Sequence, residues 1–323
     1  MKAAILGAAG IEIRDLPKPA PKPNEVLIRV RASTLNRADL IVALGRRHGA
    51  VGGVGARIGL ECAGEVEAVG REVEGIEAGD RVMARAPGGL AEYAVADAVL
   101  AHRIPANNMT YEQAACFPVA LATMHNAIVT AGRLKRGETL LVQGASSGVG
   151  LMGVQIAKLM GASPVMGTST NPERRARLKE FGCDLALDSG APGWPDEVKK
   201  ATGGKGVDVI IDLVSGKVAN QNLAAAAILG RIVNVGRLGG MTGEFDFDLH
   251  AAKRIDYIGV TFRTRTPEEI RDVNRRMHAD LWPAVEAGTL ALPIHQTFPL
   301  AQVGEALATM RANRHFGKIA ILV

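Results

Sequence analysis

One stretch constrains this chain more than any other: Leu140-Leu141-Val142-Gln143-Gly144-Ala145-Ser146-Ser147-Gly148-Val149-Gly150. It reads as a buried strand, a tight turn of small residues and the start of a helix. Such a turn lets the backbone approach a pyrophosphate, whose charge is stabilised by unpaired N–H groups and the positive end of the helix dipole. Ser146, Ser147, Gly148 and Val149 are therefore the expected phosphate-binding positions, and Gly150 allows the helix to pack closely on the strand. Set against the usual G-x-G-x-x-G, the three glycine positions fall on Ala145, Ser147 and Gly150, so a glycine-rich turn of any α/β domain would read similarly. Context decides, because the motif's mechanism requires a strand before the turn and a helix after it.

That context is present. From about residue 119, Thr139 to Gln143, Pro164 to Thr168, Val207 to Leu213, Arg231 to Val235 and Tyr257 to Phe262 read as strands, with helices at Val149 to Met160 and Pro172 to Phe181. The alternation is that of βαβ units in a doubly wound parallel sheet, an α/β fold. Up to residue 118, apolar runs at Glu25 to Val30, Gly64 to Val69, Asp80 to Ala84 and Ala91 to Val95 are punctuated by Gly, Pro and Asp, the pattern of a small β-rich barrel or sandwich. Pro267 to Ala287 and Ala301 to Arg311 read as helices, and Lys318 to Val323 as a final strand able to return to the first domain. The expected organisation is a β-rich domain over 1–118, a Rossmann dinucleotide domain over 119–262, and a tail over 263–323 that rejoins the first. A length of 323 residues suits two domains, each with its own core.

The end of the strand after the turn separates NAD from NADP. An NAD site wants a carboxylate for the ribose 2′-hydroxyl about 20 residues on. Here that strand ends Gly167-Thr168-Ser169-Thr170-Asn171, without an acid, and Arg174 and Arg175 follow. Thr168, Ser169 and Arg174 are thus expected to hold a 2′-phosphate, which points to NADPH. Arg177, and Arg175 in the alternative, read as a solvated helix face. Gly236-Arg237 and Thr261-Phe262 follow two later strands at their carboxyl ends, where open sheets place ligands.

The formal charge of +5 does not demand a polyanionic partner, since the basic residues are scattered apart from three Arg pairs, and an anionic cofactor is a sufficient beneficiary. Three widely spaced cysteines, Cys62, Cys116 and Cys183, support neither a disulfide framework nor a metal knuckle and suit the cytoplasm. No stretch is expected to supply the ~20 apolar residues of a membrane helix. Met1 to Leu6 reads as a first strand rather than a signal peptide.

Six segments, in order and along the whole length, carry a resemblance: Leu35-Asn36-Arg37-Ala38-Asp39-Leu40, Gly59-Leu60-Glu61-Cys62-Ala63-Gly64, Gly79-Asp80-Arg81-Val82, Pro118 to Ala127, the turn itself, and Phe316-Gly317-Lys318-Ile319. With them the chain resembles a zinc-independent medium-chain dehydrogenase/reductase of the quinone oxidoreductase group. The resemblance implies a GroES-like catalytic domain built from both chain ends around a central Rossmann domain, commonly in a homodimer. It also implies that Asn36 and Thr123 sit beside the nicotinamide or substrate, that Gly236, Arg237, Thr261 and Phe262 approach the nicotinamide half, and that Asn313 and Lys318 close over the cofactor. Zinc-dependent relatives place a cysteine at or beside Asn36, a histidine at Leu60 and a cysteine quartet after Val82. Of that site only Glu61 is present, and one carboxylate does not hold zinc, so no metal is expected. His48, His102 and His125 lack ligand-spaced partners and read as surface or structural residues. Asp39 reads as a residue that ties down its loop, unless burial raises its pKa.

Without a metal to polarise a carbonyl, hydride transfer favours an acceptor activated by conjugation, a quinone or an α,β-unsaturated carbonyl. An enoyl-thioester reductase is the enzymatic alternative; Gly45-Arg46-Arg47-His48 stands where those enzymes often bear a tyrosine, and its basic residues could contact an anionic substrate. A different class, an NADPH-responsive RNA- or protein-binding protein, remains compatible with the basic pI of 9.2.

Overall fold

Short apolar runs broken by Gly and Pro become antiparallel strands in the computed structural model, which describes every residue except 9, 48, 50 and 51. The chain divides into two units, Met1–Ala122 with Phe262–Val323, and Thr123–Thr261.

In the first unit, β1 (Lys2–Gly7) and β2 (Gly10–Asp15) form a hairpin. A seven-stranded sheet contains β3 (Glu25–Thr34), β4 (Glu61–Val69), β5 (Arg81–Arg85), β6 (Tyr93–Asp97) and β7 (Ala101–Arg103), joined by two strands from the end of the chain, Ile294–Pro299 (β14) and Lys318–Leu322 (β15). Its order is β14-β15-β3-β4-β5-β7, with β6 also on β3. Alternation sets the core: Val26, Ile28 and Val30 point inward from β3 against Cys62, Val66, Val82 and Ala84. The final strand inserts Ile319 and Ile321 beside Leu35, Ile58 and Leu90, so the chain's two ends share one core. The pairing of β4 with β5 sets Glu61 directly opposite Arg85.

The second unit is a six-stranded, wholly parallel sheet of β8 (Leu140–Gln143), β9 (Val165–Thr168), β10 (Leu185–Leu187), β11 (Val207–Asp212), β12 (Ala226–Asn234) and β13 (Asp256–Gly259). The order β10-β9-β8-β11-β12-β13 reverses direction between β8 and β11, the switch point at which such sheets bind ligands. Leu141, Met166, Leu187, Trp194, Ile210 and Ile232 fill its core.

Several expectations change in detail. The helix expected over Pro172 to Phe181 is an α-helix only to Ala176 and a 3₁₀ turn beyond it. The last strand stops at Gly259 rather than Phe262. β12 begins inside the Ala-rich run, at Ala226, where pairing with Val207 outweighs the helical preference of alanine. Contrary to the sequence expectation, the helical stretch Tyr111–Ala131 has the length and mean hydropathy, 1.4, of a membrane span. Its most apolar window is 72% buried inside the protein, the burial of a core helix.

Candidate active site

The glycine-rich turn is built as its residue types require. Gly144 sits at φ +76°, a left-handed conformation that disfavours any side chain. Ser147 caps the helix Gly148–Leu159, its Oγ accepting the Gly150 N–H at 3.1 Å. Among the described residues, the N–H groups of Gly148 and Val149 meet no acceptor, which leaves two donors at the positive end of the helix dipole. Ser146 and Ser169, both nearly buried, are brought together with their Oγ atoms 3.0 Å apart.

Thr168 does something other than expected. It is fully buried, and its Oγ1 donates to Gln143 Oε1 at 2.7 Å while accepting the Gly144 N–H at 3.0 Å. Its hydroxyl therefore holds the turn from beneath. From Gln143 the hydrogen bonds continue across the sheet. Gln143 Nε2 donates to Asn222 Oδ1 (2.7 Å), and Asn222 Nδ2 to Asp212 Oδ2 (3.0 Å). Asp212 Oδ1 accepts the Val214 and Ser215 N–H groups, Asn234 donates to Ser215 Oγ, and Ser215 Oγ donates to the Gly236 carbonyl at 2.5 Å. Burial pushes the Asp212 carboxyl above its ordinary range, against the pull of its backbone and Asn222 donors. Sequence reading overlooked this relay, although a signal existed: Gln143, Thr168, Asp212 and Asn234 are each the polar last residue of an otherwise largely apolar strand.

Of the arginines after β9, Arg175 is held inward, donating to the Ser169 carbonyl at 2.8 Å and pairing with Asp188 at 2.9 Å. Arg177 pairs with Glu180 at the surface. Arg174 lies half-buried in the first turn of its helix, whose N-cap Asn171 accepts its backbone N–H at 2.8 Å. Arg237 is exposed just after β12, Thr261 is half-buried at the end of the unit, and Thr123 is half-buried on the helix Pro118–His125.

The first unit holds a cluster of buried polar groups. Asn36 caps the helix Arg37–Ala43 in extended backbone conformation, and its N–H donates to Asp39 Oδ2 at 2.7 Å. Its side chain donates through Nδ2 to Glu61 Oε1 at 2.8 Å and accepts at Oδ1 from Lys318 Nζ at 3.1 Å. Lysine can only donate and an ionised carboxylate only accept, so these partners fix the amide's orientation. Among the described residues the second Nδ2 hydrogen finds the Thr34 carbonyl, at 3.5 Å a weak bond.

The same geometry places Lys318. Its ammonium is buried and faces inward, with Leu35 O, Asn36 Oδ1 and Glu61 Oε1 taking its three hydrogens at 3.2, 3.1 and 2.7 Å. Asn313 is exposed, in left-handed conformation after the helix Val303–Arg311, and its Oδ1 accepts from Arg37 at 2.5 Å. Phe262 belongs to the first unit, where the Arg85 guanidinium lies over its ring. Arg46 and Arg47 are exposed, and His48 lies outside the described residues. His102 stacks on His278 and lies tilted against Trp282, and burial lowers its pKa to about 4.

A zinc ion does not fit this cluster. The Glu61 carboxylate already accepts from Thr34, Asn36, Lys318 and the Val119 N–H, and the cation beside it is an ammonium. Among the described residues no group of three His, Cys, Asp or Glu side chains has a metal-binding arrangement.

Asp39 combines both readings of the sequence. It ties the loop, and burial raises its pKa from 3.8 to about 7, with Glu61 adding to the rise and the Asn36 N–H and Lys318 opposing it. The folded state thus binds this proton more tightly than the unfolded chain. Its stabilising contribution is complete below about pH 4 and is lost as pH rises through about 7. At about 1.4 kcal/mol per pK unit the shift corresponds to about 4 kcal/mol. Denaturant titrations of Asp39→Asn, which keeps an acceptor for the cap, should lack this decline; parallel curves for variant and parent would refute it.

Residues 22–106 match the family described as alcohol dehydrogenase GroES-like domain, and residues 148–279 the zinc-binding dehydrogenase family. A mycocerosic acid synthase-like polyketide synthase of Mycobacterium tuberculosis is 30% identical over 302 residues, 93% of this chain, and the phthioceranic/hydroxyphthioceranic acid synthase of Mycobacterium bovis is 30% identical over 316 residues, 96% of it. The chain spans only 14% of the length of these relatives. Among solved structures, an alcohol dehydrogenase superfamily protein from Novosphingobium aromaticivorans superposes with TM-score 0.89 at 28% identity, covering 100% of this chain and 99% of that one. A mycobacterial protein complexed with NADPH gives 0.86 at 27%, covering 100% of each chain. The CurK enoyl reductase gives 0.87 at 25%, covering 99% of this chain and 98% of its own.

Proposed function

The chain belongs to the medium-chain dehydrogenase/reductase superfamily and is an NADPH-dependent oxidoreductase, and from that premise we propose that it reduces a small conjugated carbonyl compound without zinc. The observation that carries the reading is the Asn36–Glu61–Lys318 cluster, which offers an oriented amide donor in place of a metal.

The dinucleotide fits the second unit. Gly148 and Val149 present N–H groups for the pyrophosphate, and the end of β9 has Ser169 and Arg174 where an NAD site would place an acid. When bound, NADPH supplies a hydride from its nicotinamide C4. The chain's own residues position and polarise. The weakly bonded Nδ2 hydrogen of Asn36 would bond the acceptor's carbonyl oxygen, where negative charge gathers as hydride reaches the β-carbon. Lys318, donating to the oxygen of the same amide, holds the amide in that orientation. Solvent supplies the proton to the α-carbon, leaving a saturated carbonyl.

The CurK enoyl reductase and the polyketide synthases among the relatives favour a second reading, reduction of an enoyl thioester. One assay separates the two: loss of NADPH absorbance with a quinone, a free enone and a crotonyl thioester, each before and after treatment with a strong zinc chelator. Turnover of quinone or enone that survives chelation is expected. Activity confined to the thioester would establish the second reading, and no turnover of any acceptor would defeat both.

A further inference from the structure

Arg85 ends β5 and, among the described residues, forms no ion pair. Its Nη1 is enclosed with no hydrogen-bond partner, and the guanidinium lies over the Phe262 ring, 4.2 Å from the centroid. In the register of β4 and β5 it stands directly opposite Glu61. Directly opposed residues of paired strands project to the same side of the sheet, with Cβ atoms about 5 Å apart. Arg85 is therefore on the same side as the cluster that holds Asn36.

Glu61 is near enough for its charge to hold the Arg85 pKa up, but it makes no hydrogen bond to the guanidinium. Four donors already occupy that carboxylate, and Lys318 neutralises its charge. Burial lowers the Arg85 pKa to about 10, which leaves the group charged at neutral pH. An enclosed guanidinium with an unmet N–H is costly unless something supplies the missing anion.

We propose that Arg85 recognises a carboxylate on the substrate, so that the preferred acceptor is a conjugated carbonyl bearing a carboxylate, of the 4-oxo-2-enoate type. The guanidinium fork matches a carboxylate bidentately. Because Arg85 and Asn36 both adjoin Glu61, the carboxylate and the reacting carbonyl must lie within one small molecule. The phosphates of a coenzyme A thioester, a pantetheine arm away from the acyl group, do not meet that spacing. In the reaction the alkene carbon β to the ketone receives the hydride, the α-carbon takes a proton from water, and NADPH becomes NADP⁺. The inference rests on the proposed reductase activity for its reaction, but not for its binding group.

The test compares 4-oxopent-2-enoate with its methyl ester, and crotonyl-CoA, in the full chain and in Arg85→Met and Arg85→Lys. The parent should favour the acid over the ester in kcat/KM. Arg85→Met should raise KM for the acid at least about tenfold, the loss of one charge-assisted hydrogen bond, and leave the ester and NADPH unchanged. Arg85→Lys should recover part of the loss. Equal losses for acid and ester, a raised KM for NADPH, or an effect seen with crotonyl-CoA alone would each overturn the assignment. A thermal shift by levulinate, the saturated product, gives a readout without turnover: a shift in the parent that Arg85→Met abolishes upholds the carboxylate site even if no acceptor is reduced. No shift in a folded parent overturns it.

Discussion

Lys318→Met should destabilise the chain by about 3–5 kcal/mol and remove most of its turnover, because the change strands a buried carboxylate that forms no other ion pair among the described residues. Glu61 is fully buried and Lys318 3% exposed, with 2.7 Å between their charged atoms. The remaining donors, Thr34, Asn36 and the Val119 N–H, stabilise the carboxylate but cannot neutralise it. A second variant separates fold from function. In Lys318→Met with Glu61→Gln both charges go, and buried ion pairs replaced as a pair often cost little. Stability should largely return, while turnover stays low because Asn36 has lost the ammonium that orients its amide. Denaturant unfolding and steady-state kinetics read the two effects independently. A single variant within about 1 kcal/mol of the parent would mean the pair is well hydrated and sink the argument.

Lys318 also shows where reading the sequence runs out. Its partners Glu61 and Asn36 are 257 and 282 positions away, so only the return of β15 to β3 creates the contact. Local features were easier to read. Ser147, Gly148 and Gly150 announce a helix start by residue type alone, and the parallel sheet follows from the alternation of apolar runs. The three-residue strand Leu185–Leu187 and the helix Trp194–Ala201 escaped notice, the first being too short to show a period. Thr168 lay correctly at the end of its strand, but which way a strand residue points depends on register, and a shift of one reverses it. Arg85 was not singled out because an arginine at the end of a short strand reads as surface until its unmet N–H and its position opposite Glu61 are seen.

The turn itself gives the other large effect, since Gly150→Ala should weaken NADPH binding by at least about a hundredfold, roughly 2.7 kcal/mol. A Cβ at Gly150 would lie 2.6 Å from the Gly144 carbonyl oxygen and 2.8 Å from Ala145 Cα, both backbone atoms of the turn. Neither can rotate away, so the helix must move off β8, carrying with it the Ser147 cap and the two N–H groups meant for the pyrophosphate. Gly153, one turn further along the same helix, supplies the control. Its added Cβ would meet Met124 Sδ at 3.0 Å, a flexible side chain with several rotamers. Gly153→Ala should therefore bind NADPH nearly as the parent does. Fluorescence titration of NADPH against both variants, with circular dichroism to confirm folding, measures the difference. If Gly150→Ala binds within about threefold of the parent, the phosphates are held elsewhere and the turn is only a close-packed joint between strand and helix.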